Sequence, residues 1–349
     1  MRPGEELNIA LVDPWLKSRV AGLRGTPRLT QYSGGASNWT YRLEYDSHDL
    51  VLRRPPAGTK AKSAHDMGRA FRIQKALAPA FPFVPEMIAF CDDVSVLGSD
   101  FYVMRRIDGI VPRRKLGADL DRGAARALCL AVIDTLVRLH KVDAASAGLS
   151  SMGKGPGYAR RQVEGWTDRY RRARTWNAPT FREAMAWLAD HTPADVATCV
   201  IHNDFRLDNV VLDRHDPTRV VGVLDWEMAT LGDPLMDLGS SLAYWVEARD
   251  DLVARATRRQ PTHLPGMLTR SEVIEYYCDR MGLRLAGPDL RTLRTFYEVF
   301  GLFRLAGIIQ QIYCRYHKRE TRNPAFRHFW LMAHYLDRRC RRLIRESHI

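Results

Sequence analysis

The stretch VIHNDFRLDNVVLD, Val200 to Asp213, constrains this chain more than any other. Apolar, β-branched runs bracket a polar segment that holds His202, Asn203, Asp204, Arg206, Asp208 and Asn209. Brackets of that kind read as strands. The polar residues between them admit two readings. Asp and Asn bond nearby backbone and so punctuate turns. The same residues, in the order His-x-Asp-x-x-x-x-Asn, also suit a catalytic loop. Beyond Asn209 the chain runs through NVVLD, the turn RHDPT and RVVGVLDWE, a hairpin that ends near Asp225. Phosphoryl transfer needs such a set: one carboxylate to orient a hydroxyl and take its proton, and an amide with a second carboxylate to hold Mg²⁺ against phosphates.

The remaining pattern changes character along the chain. The first hundred residues read mostly as strand. PRLTQYSGGASNWTYRLEY is two aromatic-rich runs joined by a Gly-rich bend, and HDLVLRR is a third strand. The bend SGGASN lets backbone N–H groups approach phosphates closely, although a plain hairpin turn has the same composition. The third strand supplies a cation, Arg53, for those phosphates. After the break PPAGTKAK, the segment SAHDMGRAFRIQKALA has helical period through Phe71, Ile73, Ala76 and Leu77. Ser63 with Asp66 resembles a capping box at its start. DFYVMRRIDGI is a further strand. From about Asp108 the pattern turns helical, with Leu128, Val132, Leu136 and Leu139 on one stripe. The chain has 349 residues, enough for about two lobes, since single cores stop growing near ~250–300 residues. The order places a small β-rich lobe before a larger helical one, and a site between them is the expectation.

Composition narrows the function classes. With 46% apolar and 27% charged residues the chain can bury a sizeable core. No run of ~18 uncharged apolar residues occurs, so no membrane span is expected. The first residues lack a signal-peptide pattern. The six cysteines are scattered singly, without ligand-like spacing, which argues against a zinc site or a disulfide framework and fits a reducing cytoplasm. The net charge of +13 favours anionic partners. Much of it is Arg, in YARRQVEGWTDRYRRARTW and YLDRRCRRLIRE, where a solvated helix face is the plain alternative. No aromatic-rich RNA motif or basic recognition helix accompanies the charge, so nucleic acid is an unlikely partner.

GGASNWTYRL, LVLRRPPAG, SAHDMGRAFRIQKAL, IHNDFRLDNVVLD, GVLDWEMATLGDPLMDLG and FRLAGIIQQIY together resemble the aminoglycoside phosphotransferase / choline kinase-like family. More narrowly they are similar to the phosphotransferase modules found fused to, or beside, acyl-CoA dehydrogenases. The resemblance covers nearly the whole chain. It implies an α+β, bilobal protein-kinase-like fold, with a nucleotide-binding lobe over residues 1–107 and a catalytic and substrate-binding lobe over 108–349. It implies an ATP- and Mg²⁺-dependent phosphotransferase acting on an alcohol group. By the same resemblance Asp204 is the base and Arg206 a cation on the transferred phosphate. Asn209 and Asp225 are the Mg²⁺ ligands. Ser33, Gly34, Gly35, Ala36, Ser37, Asn38 and Arg53 hold the nucleotide phosphates, and Met104 to Ile107, with Arg106, form a hinge near the base. His202 packs the loop, Asp208 caps a turn, and Asp233 and Asp237 brace loops. The kinship with dehydrogenase-linked modules points to a hydroxyacyl-CoA or related lipid as acceptor and to a functional link with an acyl-CoA dehydrogenase. A dehydrogenase name for such a chain would reflect association only.

Two departures from the family pattern matter. The strand cation is Arg53 where kinases in general use Lys, so charge is kept while geometry becomes a planar fork. Ala70 stands where the helix after that strand should present a Glu. Arg53 is therefore expected to lack a carboxylate anchor and to be mobile before nucleotide binds, and a Glu introduced at 70 is expected to tighten ATP. The same gap motivates an alternative, a catalytically weak or inactive nucleotide-binding protein. Asn203 also replaces a common Gly.

Overall fold

The computed structural model describes residues 4–32, 38–56, 66–283, 290–321 and 323–347. In chain order the elements begin with α1 (Ile9–Lys17), β1 (Arg28–Gln31), β2 (Trp39–Glu44), β3 (Asp49–Arg54), α2 (Met67–Leu77), β4 (Met87–Cys91), α3 (Val94–Leu97) and β5 (Phe101–Arg105). The chain continues through α4 (Arg122–His140), α5 (Tyr158–Ala173), α6 (Arg182–Asp190), β6 (Cys199–Ile201), β7 (Val210–Leu212), β8 (Val220–Val223) and β9 (Thr230–Gly232). It ends with α7 (Pro234–Leu242), α8 (Leu252–Thr257), α9 (Arg270–Met281), α10 (Leu290–His317) and α11 (Phe329–Ser347). Packing divides the chain into two compact units. The first holds residues 1–112, 144–149 and 207–229, and the second holds 113–143, 150–206 and 230–349. The first thus runs beyond residue 107 and takes in the hairpin that carries Asn209 and Asp225.

The first unit is built on a five-stranded antiparallel sheet in the order β1-β2-β3-β5-β4. Successive side chains on a strand face opposite sides, and here both sides are covered. Leu50 and Leu52 of β3 join Tyr41, Leu43, Phe101 and Val103 in a core that includes Val12 and Leu16 of α1. Val51, between them, joins Tyr102 and Met104 in a second core with Met67 and Ala70 of α2. That double burial explains the unbroken apolar run of β3. Helix α1 and strand β4 are absent from the reading of this region as mostly strand. The first is a short helix containing Pro14, and the second is a five-residue strand with a register shift. Helix α2 begins at Met67, and its N-cap is Asp66, which accepts from the Arg69 N–H at 2.7 Å. The capping box expected from Ser63 is replaced by this direct cap, and Ser63 itself lies outside the described residues.

The hairpin β7–β8 also belongs to the first unit. Its placement is set by backbone bonds: Val223 N–H donates to the Phe83 carbonyl at 2.7 Å, and Ile110 and Leu212 exchange a pair at 2.8 Å.

The second unit is helical apart from the short ladder β6–β9. Leu128, Val132, Leu136 and Leu139 of α4 are all buried. Phe296, Phe300 and Phe303 on α10 are buried beneath the neighbouring helices, with Phe303 against Tyr170 and Phe181. All six cysteines are free. Among the described residues no helix is long and apolar enough to cross a membrane.

Candidate active site

Period-two alternation places Arg53 on the same face of β3 as Val51, the face that α2 covers. Its guanidinium is buried and donates to Asp225 Oδ1 at 2.8 Å, with Glu227 Oε2 at 3.5 Å. Burial alone would drive the charge off, but Tyr102, Asp225 and Glu227 more than offset it and hold the pKa above that of a free guanidinium. The expectation of a mobile Arg53 without a carboxylate is thereby corrected. Its carboxylates come from the DWE segment after β8. Ala70 is 2% exposed and packs in the core with Val51, Tyr102 and Met104, so that position has no room for a charged anchor. Helix α2 reaches the same segment another way: Arg69 donates to the carbonyls of Glu227, at 3.3 Å, and Ala229.

Asp225 sits at φ +70°, a left-handed conformation that Asp tolerates better than most residues. The next residue, Trp226, is fully buried; its indole donates to the Val223 carbonyl at 2.8 Å and meets Phe81 edge-on. Asn209 and this strand end are joined directly, since Leu224 N–H donates to the Asn209 carbonyl at 2.7 Å. An amide and a carboxylate on adjacent backbone are hard oxygen donors of the kind Mg²⁺ takes. Asn38 is buried and donates to Glu227. Ser33, Gly34, Gly35, Ala36 and Ser37 lie outside the described residues. Met104 is a buried core residue of β5. Arg106 pairs with Asp49 at 2.6 Å and with Asp108.

In the second unit the loop after β6 is clamped from several sides. Asp237, fully buried on α7, accepts the N–H groups of His202 at 2.7 Å and Asn203 at 2.8 Å. It also meets His140 Nε2 at 3.1 Å, and His140 Nδ1 in turn meets the Tyr277 hydroxyl at 2.5 Å. Burial pushes the Asp237 carboxyl up, yet the bonds from His140 and His202 prevail and hold it below the usual range. Asp233 caps α7 and accepts from Leu235, Met236 and Val196, while burial raises its carboxyl to about 6. Asn203 stands at φ +64°, the reason a Gly is common in its place. Tyr158 donates to its side-chain oxygen at 2.9 Å, and Arg304 donates to its carbonyl at 2.6 Å. His202 is fully buried, and its Nδ1 accepts the Asp204 N–H at 3.2 Å. Asp204 therefore follows two anchored residues, His202 and Asn203, and keeps a partly accessible carboxylate, 3.2 Å from Arg206 Nε. The Arg206 guanidinium lies 4.6 Å from the Tyr244 ring centroid.

Glu227, His140, Tyr158 and Arg304 received no role from sequence. DWE carries a visible signal for the first, a second carboxylate two residues after Asp225. The other three are joined to the loop only by tertiary packing.

Comparison with known proteins shows which family the chain resembles. A model of the phosphotransferase enzyme family (APH) matches residues 28–272. The chain is 37% identical over 313 residues to acyl-CoA dehydrogenase family member 10 of Mus musculus, covering 88% of this chain and 29% of that protein. The chain thus spans under a third of that curated relative. A solved Ralstonia eutropha structure, given as a candidate aminoglycoside phosphotransferase, superposes with a TM-score of 0.80 at 28% identity over 98% of this chain and 99% of that one. The streptomycin–ATP–APH(2″)-IIa ternary complex superposes with a TM-score of 0.57 at 14% identity, covering 87% and 90% of the two chains, a likeness of fold. The α+β, kinase-like architecture expected from sequence is the one found.

Proposed function

The chain belongs to the phosphotransferase enzyme family, and on that premise we propose that it transfers the γ-phosphoryl group of ATP to a hydroxyl of a small molecule, a hydroxyacyl-CoA or a related lipid metabolite. The observation that carries this reading is the pairing of Arg53 with Asp225 across 172 residues of chain at 2.8 Å. It brings the strand cation that would bind phosphates to the carboxylate that would bind their metal. Asn209 and Asp225 would hold Mg²⁺, which neutralises charge on the phosphates when bound.

In this reading the Asp204 carboxylate takes the proton of the acceptor hydroxyl as its oxygen bonds the γ-phosphorus. The bond from that phosphorus to the β,γ-bridging oxygen breaks, and ADP leaves with the electron pair. Arg206 sets a positive charge against the transferred group. Asp204 is supported for this work by its anchored neighbours, since a catalytic group held in place loses less freedom on reaching the transition state. The alternative, an inactive relative, is motivated by Ala70; the pairing of Arg53 with Asp225 and Glu227 supports the active reading, because the strand cation is held without a carboxylate at position 70.

The acceptor class follows from charge and kinship. Aminoglycosides are polycations, whereas this chain carries +13. The mouse relative is named for acyl-CoA chemistry, and a link to an acyl-CoA dehydrogenase is part of the proposal. A panel assay of ATP consumption with hydroxyacyl-CoA thioesters and kanamycin-like compounds at equal concentration tests it. Turnover is expected with a thioester. Robust turnover of an aminoglycoside, with none for any thioester, contradicts it.

A further inference from the structure

The sequence gathers five arginines on α5, and the fold singles out one of them. Arg161 bonds the carbonyls of Pro156 and Gly155, Arg172 bonds the Asp168 carbonyl, and Arg160 and Arg171 are exposed. Arg169 instead folds back along its own helix, and its guanidinium lies 4.2 Å from the centroid of the buried Trp166 ring. A Cβ at Gly165 would stand 3.3 Å from Arg169 Nη2, so the missing side chain there gives the guanidinium its bed. Arg304 of α10, itself 4% exposed, approaches the same indole at 5.4 Å. Gly307, about one turn further along α10, makes room for the ring, because a Cβ there would come within 2.9 Å of Trp166 Cε3.

Two cations therefore share one indole, and among the described residues neither is in an ion pair with a carboxylate. Arg169 Nε and Trp166 Nε1 are buried without a hydrogen-bond acceptor. Burial, with Arg304 and Arg172 nearby, disfavours the Arg169 charge. Arg304 also connects this cluster to the candidate catalytic loop, through its 2.6 Å bond to the carbonyl of Asn203, the residue before Asp204.

We propose that Trp166, Arg169 and Arg304 form an anion-binding subsite of the acceptor site, which takes a carboxylate or phosphate carried by the molecule whose hydroxyl is phosphorylated. This rests on the phosphotransferase reading above. A guanidinium fork matches the paired oxygens of either group. Stacking on indole orients the Arg169 plane without neutralising it. An anion relieves the repulsion between the two cations and supplies acceptors to the buried donors. A solvated helix face needs neither the glycine bed nor the shared ring.

The test is calorimetric titration of the full chain, as wild type, Arg169→Gln and Arg171→Gln. The probes are 3-hydroxybutyryl-CoA for phosphate, 3-hydroxybutyrate for carboxylate and ethyl 3-hydroxybutyrate as the neutral form. At least one anionic probe is expected to bind wild type and Arg171→Gln alike, with the ester far weaker. Arg169→Gln is expected to weaken that binding by about tenfold or more, as loss of a charged fork requires. Which probe responds identifies the source of the anion. No binding of either anionic probe to wild type, no effect of Arg169→Gln, or an equal effect of Arg171→Gln overturns the subsite. ATP is titrated separately and also checks the fold of each variant. If ATP fails to bind wild type while anion binding still depends on Arg169, the phosphotransferase reading falls and the subsite stands. If ATP binds and the anion does not depend on Arg169, the subsite alone falls.

Discussion

Arg53 shows how a single side chain can be legible in kind and illegible in its partners. Its position on the third strand is read from LVLRR, but Asp225 and Glu227 lie 172 and 174 residues away. No local pattern pairs residues at that distance. The family pattern directs attention to position 70 instead, where the fold has placed an apolar contact. The expectation for Ala70→Glu is accordingly reversed. A carboxylate forced into that core should destabilise the first unit by ~2–4 kcal/mol, the cost of burying a charge without a partner. Urea unfolding of the variant measures it, and an unchanged midpoint would show that Glu finds a solvated route out. Glu227→Gln removes one of the two carboxylate charges facing Arg53, while the Gln amide oxygen can still accept from Asn38. ATP affinity should change in that variant, measured by calorimetry, while a substitution at the exposed Glu86 should leave it unaltered. Asn203 is the converse case. Its departure from a Gly is known only through the family resemblance, and its φ of +64° gives the reason that Gly or Asn suits the position.

At the scale of elements, the segment from β6 to α7 is held by one buried carboxylate. Asp237 accepts two backbone N–H groups of the loop and meets His140. Asp237→Ala leaves those buried donors unmet, at about 1–3 kcal/mol each. The pH dependence has a definite sign. The folded Asp237 pKa is lowered, so its stabilisation is fully present above the ordinary carboxylate value near ~3.9 and is lost as pH falls through the folded value. Asp233 acts in the opposite sense. Raised to about 6, it contributes fully below the ordinary value and loses that contribution as pH rises through about 6. Stability curves of Asp237→Asn and wild type should therefore converge in acid, while those of Asp233→Asn and wild type should separate in favour of the variant between about pH 4 and 6. Parallel curves would contradict the assignment. The family resemblance marks both residues as loop braces, and in the fold Asp233 is the N-cap before Pro234 while Asp237 lies in the first turn of α7. Sequence could not supply His140 or Tyr277, which come from other helices. Strand β4 and helix α1 were missed because short elements carry little periodicity.

Across the whole molecule, the alternation of patterns sufficed for a β-rich unit and a helical one. The packing of β7–β8 with the first was not legible, because it depends on backbone bonds to Phe83 and Ile110. The net charge of +13 belongs to this scale. Its reach is limited to ~8–10 Å at physiological salt, so discrimination against polycations should weaken only modestly as salt rises. Assays of a kanamycin-like compound at low and high salt check this, and turnover that appears at high salt would show that bulk repulsion alone excluded it. The central claim is phosphoryl transfer through Asp204, and mass spectrometry of the acceptor tests it most directly. Wild type and Asp204→Asn are each incubated with ATP, Mg²⁺ and a hydroxyacyl-CoA, and ATP binding is measured alongside. The account predicts a phosphorylated thioester with wild type, and a loss of about a hundredfold or more in the variant with nucleotide binding retained. Equal product from both proteins would contradict it.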